Sequence, residues 1–383
     1  MNVAVQDLAA ANDSVSYAQL PRPFRLRLGG ELPSGVIAYE SWGQLNADKS
    51  NAILLFTGLS PNSHAASTPR NREDGWWERM IGPGRALDTD RFFVLCVNSL
   101  GSCYGSTGPA SVNPATGRVW QLDFPEITVE DIARAGFEAA RTLGVEKLHA
   151  VVGPSLGGMV TFAFAAAVPN GARHIISISG SGAASAFAIA LRSVQREAVM
   201  SDAAWEDGRY TPGNGPRGGM RIARKLGTIT YRGAAEWRLR FGRSGLTPRA
   251  ERAAQQAASR YPEGFGPRFA VEGYLEAQAE RFVRVFDPNC YLYLSRAMDG
   301  FDLASHGDPV EVFARSGLTS ALVIGVETDF LFAIEEQSEA ARQLEDAGIP
   351  TTFAALPSIE GHDAFLVDLP RFDAAIRGFL ATT

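Results

Sequence analysis

The ten residues VVGPSLGGMV at 151–160 constrain the fold of this chain more than any other stretch. An apolar run ends at Gly153 and Pro154, a serine follows at 155, and Gly157 and Gly158 come directly after it. Glycine and proline at four of six positions make a poor helix or strand interior. The backbone is therefore expected to turn sharply at Ser155, with another part of the chain packed very close to it.

Around that turn the sequence alternates between strand and helix patterns. Apolar runs at 35–43, 51–58, 92–101, 148–153, 174–180, 321–329 and 351–357 are expected to be strands. Most are continuous rather than alternating, as in strands covered on both faces of a parallel sheet. TVEDIARAGFEAARTLG at 128–144 has apolar residues at helical spacing, a Thr cap at its start and Gly144 at its end. This order implies an α/β chain with a mostly parallel, doubly wound sheet. The pattern lapses over 186–295, where helix formers and arginine dominate, so a helical insertion is expected there. The core would then be 21–185 and 296–383. Residues 1–20, small and polar, are expected to form a flexible arm. A chain of 383 residues suits one large domain with an insertion, or two domains.

Composition removes several function classes. A net charge of −6 argues against a nucleic-acid partner. The apolar stretch at 160–169 is too short to cross a bilayer, so no membrane association is expected. The first fifteen residues carry acids and no continuous apolar run, unlike a secretory signal. Cys96, Cys103 and Cys290 lack metal-binding spacing and cannot all pair, which implies a reduced, cytoplasmic setting. The five histidines show no ligand pattern, so no metal is expected.

An apolar strand, then G-x-S-x-G, then a small-residue helix is the nucleophile elbow of α/β-hydrolase folds. Gly153 and Gly157 would let strand and helix approach, and the Leu156 amide at the helix start would face a developing oxyanion. The plainer reading is a glycine-rich turn that happens to contain a serine. Chain order argues against it, because this fold places an acid and then a histidine after the serine. Asp329 follows the strand at 321–329, and His362 follows the strand at 351–357, both at the carboxyl edge of the sheet. His149 and His174 fall within or beside strands, and His306 lies in a polar loop. Ser155, His362 and Asp329 are therefore the expected catalytic triad.

Longer blocks resemble a known family. AYESWGQLN (38–46), LFTGLSPNSHAAS (55–67), the run at 74–114, DFPEITVEDIARA (123–135), GPSLGGM, RKLGTITYR (224–232), FDPNCYLYLSRAMD (286–299) and GHDAFLVD (361–368) are similar to homoserine O-acyltransferases, α/β-hydrolase-fold enzymes. The resemblance runs from about residue 25 to the C-terminus and is strongest to the serine O-succinyltransferase branch. Two positions depart from it: Pro154 stands where Gly or Asn is usual, and Ala333 replaces a usual proline.

The resemblance implies a ping-pong transfer from acetyl- or succinyl-CoA, with no permanently bound cofactor. His362 would deprotonate Ser155 for attack on the thioester, Asp329 would hold the imidazole, and amides of Leu156 and of Phe56 or Thr57 would bind the oxyanion. Coenzyme A would leave, and the hydroxyl of L-serine, or of L-homoserine as the alternative, would take the acyl group. The insertion would form a lid that excludes water and would build a homodimer through its helices. Within 220–243, seven cationic residues face one acid, Glu236, and most are expected to be a solvated basic face. The resemblance singles out Arg232 for the substrate carboxylate. Asp363 would then meet the substrate ammonium, and Tyr231 would line the pocket or simply pack. The 98–108 loop and Trp76/Trp77 are expected to support the rim. A simple esterase with the same triad remains a second alternative.

Overall fold

In the computed structural model the described residues are 14–246, 251, 255 and 259–383. One sheet contains β1 (Ser16–Gln19), β2 (Val36–Trp42), β3 (Ala52–Phe56), β4 (Phe93–Val97), β5 (Leu148–Pro154), β6 (Ala172–Ile178), β7 (Ser320–Val326) and β8 (Thr351–Leu356). The helices used below are α1 (Val129–Thr142), α2 (Leu156–Ala167), α3 (Ala186–Met200), α4 (Arg217–Thr230), α5 (Ala234–Arg240), α6 (Ala270–Phe282), α7 (Pro288–Asp299), α8 (Pro309–Ala314), α9 (Ile334–Asp346) and α10 (Leu369–Leu380). The strand order is β1-β2-β4-β3-β5-β6-β7-β8. From β4 to β8 every neighbouring pair is parallel, while β1 and β2 join antiparallel at one edge.

The continuous apolar strands exist because both sheet faces are covered. In β3, Ile53 and Leu55 face one side with Val94, Cys96, Val152, Trp77 and Phe372. Leu54 and Phe56 face the other, among residues of α1 and α2. Full burial of one such side chain contributes about 1.5–3 kcal/mol. Helix α1 begins in a capping box, in which the Thr128 side chain accepts from the Asp131 amide and the Asp131 carboxylate accepts from the Thr128 amide. Helix α2 is apolar on nearly all sides and buried through most of its length, as a helix beneath the nucleophile must be.

The arm expected over 1–20 does not extend that far. Ser16–Gln19 form β1, paired from Ser16↔Tyr39 to Gln19↔Val36. Tyr17 and Gln19 are exposed while Ala18 and Leu20 are buried, the period-two pattern of a half-covered edge strand that the composition masked. Residues 1–13 lie outside the described residues.

Over 186–295 the described residues are mainly helical: α3 packs on α4 and α7, and α4 packs on α6. Helix α7 continues to Asp299, so the boundary expected at 295 falls within a helix. The segment leaves and rejoins the core side by side. The Ala184 amide donates to the Phe301 carbonyl at 3.0 Å, and the Leu303 amide to the Gly182 carbonyl at 2.8 Å. Among the described residues no helix is long and apolar enough to cross a membrane.

Candidate active site

Ser155 stands between β5 and α2 with φ +58° and ψ −119°. A non-glycine residue in that region carries about 1–3 kcal/mol of strain, which the surrounding contacts must hold. The neighbouring glycines explain how the turn fits. A Cβ on Gly157 would lie 2.6 Å from the Phe56 carbonyl oxygen, and one on Gly153 would run into the Gly157 backbone. The departure at 154 sits at the last residue of β5, opposite Ile178, where the next amide, that of Ser155, makes the bond to β6, donating to the Ile178 carbonyl at 2.9 Å. Ala333 caps α9 at φ −58°, a value proline would also take, so that departure leaves the backbone path unchanged.

His362 brings the three expected residues into one line. Its Nε2 is 2.8 Å from Ser155 Oγ and its Nδ1 is 2.7 Å from Asp329 Oδ2. The other Asp329 oxygen accepts from the amides of Leu331 and Phe332, each at 3.0 Å. Phe332 stacks on the imidazole with ring centroids 5.1 Å apart, and Phe365 meets it edge-on at 5.9 Å. Thr328 joins the two loops, donating to the Ser358 carbonyl at 2.7 Å and accepting from the Gly361 amide at 3.1 Å. Burial acts to lower the His362 pKa, and Arg192 adds a lesser push the same way. The charge and hydrogen bond of Asp329 outweigh both and leave it raised.

Leu156 opens α2, where a first-turn amide has no acceptor within the helix. The turn after β3 lies against the serine: a Cβ on Gly58 would sit 3.7 Å from Ser155 Cβ. Phe56 and Thr57, just before it, are both buried. The 98–108 loop backs this turn. Asn98 accepts from the Ser63 amide at 2.6 Å and donates to the Tyr104 carbonyl at 2.6 Å, and the Tyr104 hydroxyl donates to the Ser60 carbonyl at 3.2 Å. The two tryptophans brace the same side, Trp76 donating to the Asn62 carbonyl and Trp77 to the Phe365 carbonyl, each at 2.9 Å.

The link from α4 to α5 docks on the histidine loop. The Asp363 amide donates to the Tyr231 carbonyl at 2.9 Å. Gly361, at φ +67°, lets the Gly233 amide approach to where a Cβ would be only 2.5 Å away. Tyr231 lies with its ring 5.8 Å from that of His362. The guanidinium of Arg232 is 2.8 Å from Glu236, 3.4 Å from Glu360 and 3.4 Å from Asp363. Burial pushes the Asp363 carboxyl up, with the charges of Arg232 and His362 working against the rise.

Arg232, Asp363 and Tyr231 thus gather beside the triad, together with Glu236 and Glu360, for which the sequence carried no role at the site. The solvated basic face expected over 220–243 is present only in part: Arg238, Arg240 and Arg243 are exposed, while the other four cations are half-buried. Arg221 and Lys225 turn inward to the buried Glu276, and Arg224 lies over the rings of Tyr231 and Phe282. Buried acids on a distant helix invert the exposure that local charge density suggests. Arg192 on α3 is also buried, paired with Asp299, and its Nη2 has no partner. The other four histidines lie outside the triad, and His64 contacts the buried Glu40 at 3.0 Å. His149 and His174 lie ring to ring, 5.0 Å apart, near the amino ends of β5 and β6, with pKa values pushed down to about 4 chiefly by burial. His306 contacts Glu130 at 2.7 Å.

The α/β-hydrolase fold family matches residues 51–369. A serine O-succinyltransferase of Litchfieldella anticariensis is 53% identical over 96% of this chain and 99% of its own length. One from Stenotrophomonas maltophilia is 53% identical over 95% of this chain and 96% of its own. Among solved structures, homoserine O-acetyltransferase from Bacillus anthracis superposes with a TM-score of 0.83 at 25% identity, covering 96% of this chain and 97% of the other. Esterase E22 does so with a TM-score of 0.83 at 28% identity, covering 96% of this chain and 100% of the other. With a nucleophile elbow, an ordered triad and full-length relatives of this kind, the chain belongs to the homoserine O-acyltransferase family of α/β-hydrolase-fold enzymes and is an acyltransferase.

Proposed function

We propose that this enzyme transfers a succinyl group from succinyl-CoA to the hydroxyl of L-serine, through an acyl-Ser155 intermediate, and so feeds cysteine synthesis in the cytoplasm. The observation that carries the chemistry is the hydrogen-bonded line Ser155–His362–Asp329, with Arg232 and Asp363 beside it. The serine O-succinyltransferase relatives, about half identical over nearly the whole chain, support the choice of substrates.

In the first half-reaction His362 takes the Ser155 proton as Oγ bonds to the thioester carbonyl carbon. The oxyanion is held by the Leu156 amide and that of Phe56 or Thr57, where one donor contributes about 3–4 kcal/mol. The carbon–sulfur bond then breaks, and coenzyme A leaves with the proton from His362. In the second half-reaction His362 deprotonates the serine hydroxyl, which attacks the acyl-enzyme and restores Ser155. Arg232 binds the amino acid carboxylate and Asp363 its ammonium, with Tyr231 packed alongside. Arg192 suits the far carboxylate of a succinyl donor: it is buried, its charge reaches His362, and its Nη2 has no partner.

L-Homoserine differs by one methylene, worth about 1–3 kcal/mol of discrimination. Competition between serine and homoserine, with succinyl- and acetyl-CoA as donors and products read by mass spectrometry, tests both choices. O-Succinylserine as the main product is expected. A preference for homoserine or for acetyl-CoA would overturn the corresponding half. The similarity to esterase E22 favours hydrolysis as a second reading, and release of free succinate faster than serine acylation would establish it. The helical insertion over 186–295 acts as a lid over Ser155 and as the seat of a homodimer. Supporting the latter, Phe187, Val194 and Met200 on α3 and Ile222 and Ile229 on α4 are exposed.

A further inference from the structure

All three cysteines are free thiols. Cys96 is buried within β4, but Cys103 and Cys290 hydrogen-bond to each other across the junction of core and insertion. Cys103 is half-buried on the 98–108 loop. Its Sγ accepts from the Asp287 amide at 3.4 Å and donates to the Val285 carbonyl at 3.6 Å, so the loop grips the chain as it enters α7. Cys290 is fully buried in the first turn of that helix, and its amide donates to Asp287 Oδ1 at 2.9 Å. The transfer chemistry uses neither thiol. Two thiols in contact, one open to solvent and one behind it, are the arrangement of an oxidisable pair.

We propose that Cys103 and Cys290 form a dithiol–disulfide site that takes a low-molecular-weight disulfide as its oxidant and, once closed, ties the helical insertion covalently to the loop behind the catalytic turn. The Cys103 thiolate attacks one sulfur of the small disulfide, forming a mixed disulfide and releasing one thiolate. Cys290 then gives its proton to the Asp287 carboxylate, which hydrogen-bonds to it, and its sulfur attacks that of Cys103. The mixed disulfide breaks and the second small thiolate leaves. Two protein thiols are oxidised, one disulfide is reduced, and the two protons end on the two leaving thiolates. Burial pushes the Cys290 thiol well up, so closure is the slow step, and burial raises Asp287 as the proton acceptor. Disulfides in a reducing compartment are transient and serve sensing or catalysis. This one has a route to the active site. Tyr104, next to Cys103, holds the Ser60 carbonyl with its hydroxyl, while Asn98 binds both the Tyr104 carbonyl and the Ser63 amide. Tying Cys103 to α7 pulls on Tyr104, and through it on the turn that presents the Phe56 or Thr57 amide to the oxyanion. Closure therefore slows acylation.

The effect on acylation rests on the acyl-Ser155 reading, the disulfide itself does not, and the test reads them separately. Full-length wild type, Cys103→Ser and Cys290→Ala are reduced with dithiothreitol, freed of it and incubated with oxidised glutathione. Remaining thiols are alkylated in denaturant, and unreduced peptides are mapped by mass spectrometry. In wild type the peptides carrying Cys103 and Cys290 are expected to be linked, with Cys96 alkylated. Cys290→Ala is expected to keep glutathione on Cys103, because no second thiol displaces it, and Cys103→Ser to leave Cys290 free. Acylation of Ser155 by succinyl-CoA is then followed by rapid-quench mass spectrometry. Complete loss of an oxyanion donor costs roughly 10²–10³ in rate, so a displaced one is expected to cost about 10-fold in the linked enzyme. Dithiothreitol should restore the rate, and oxidised glutathione should leave Cys103→Ser unchanged. Cys103→Ser carries the comparison if Cys290→Ala lowers the melting temperature. Two free thiols in treated wild type, or glutathione retained on its Cys103, would overturn the site. A linked enzyme that acylates at full rate would overturn its hold on the turn. Absence of any adduct on reduced wild-type Ser155 would instead overturn the acyl-serine reading and leave the disulfide site standing.

Discussion

Ser155 gives its proton to His362, and Asp329 holds and stabilises the imidazole that takes it. Ser155→Ala is expected to fold normally and to show no mass increase after brief exposure to acyl-CoA, whereas the wild type gains one acyl group. An adduct that persists on the variant would place the nucleophile elsewhere. The pH profile follows from the direction of the His362 shift. The imidazole works as a base only when neutral, and Asp329 keeps its pKa raised despite burial. Acylation should therefore fall as pH drops, with a midpoint above that of an ordinary imidazole. Asp329→Asn should move that midpoint down while lowering the plateau roughly 10⁴-fold. Asp363, raised by burial, must be ionised to hold an ammonium, so the KM for serine should rise on acidification while that for the donor stays level. Arg232→Ala should slow transfer to serine far more than formation of the acyl-enzyme, and equal loss in both steps would contradict its role. At this scale the triad was legible because chain order and strand ends fix it. Glu360, Arg192 and Arg224 were not, because their partners lie far away in sequence.

Strands and helices were readable where one signal dominated. The runs at 51–58, 92–101 and 148–153 became β3, β4 and β5 because strands covered on both faces need no polar alternation. Helix α1 was marked by Thr128 and Gly144 at its two ends. β1 was not legible because a strand of four residues carries little periodic signal, and its burial depends on a strand twenty residues later. The helices of the insertion gave composition but not orientation, so their inward-facing cations looked solvated. The end of β3 lies so close to the start of α2 that Gly157→Ala would press a methyl group onto the Phe56 carbonyl. Relief requires the helix to shift, at about 1–3 kcal/mol. Urea denaturation should show that loss, and acylation should fall further than stability does, because the displaced helix start carries the Leu156 amide.

Seen as a whole, the molecule is a covered sheet with a helical module entering and leaving at one place, beside Gly182–Ala184 and Phe301–Leu303. Its outer side carries apolar residues at heptad spacing, Phe187 with Val194 and Ile222 with Ile229, all exposed in a single chain. Introducing Val194→Glu together with Ile222→Glu should convert a dimer to a monomer in light scattering, whereas an unchanged mass would move the interface elsewhere. The docking of Tyr231–Gly233 on Gly361–Asp363 bears on how substrates travel. The loop that carries the catalytic base hydrogen-bonds to the module's own backbone, and at Gly361 there is no room for even a methyl group between them. The module cannot swing open at that corner like a door without pulling His362 from Ser155. Any opening of the module that admits substrate must therefore leave this corner closed and take place at its other edges.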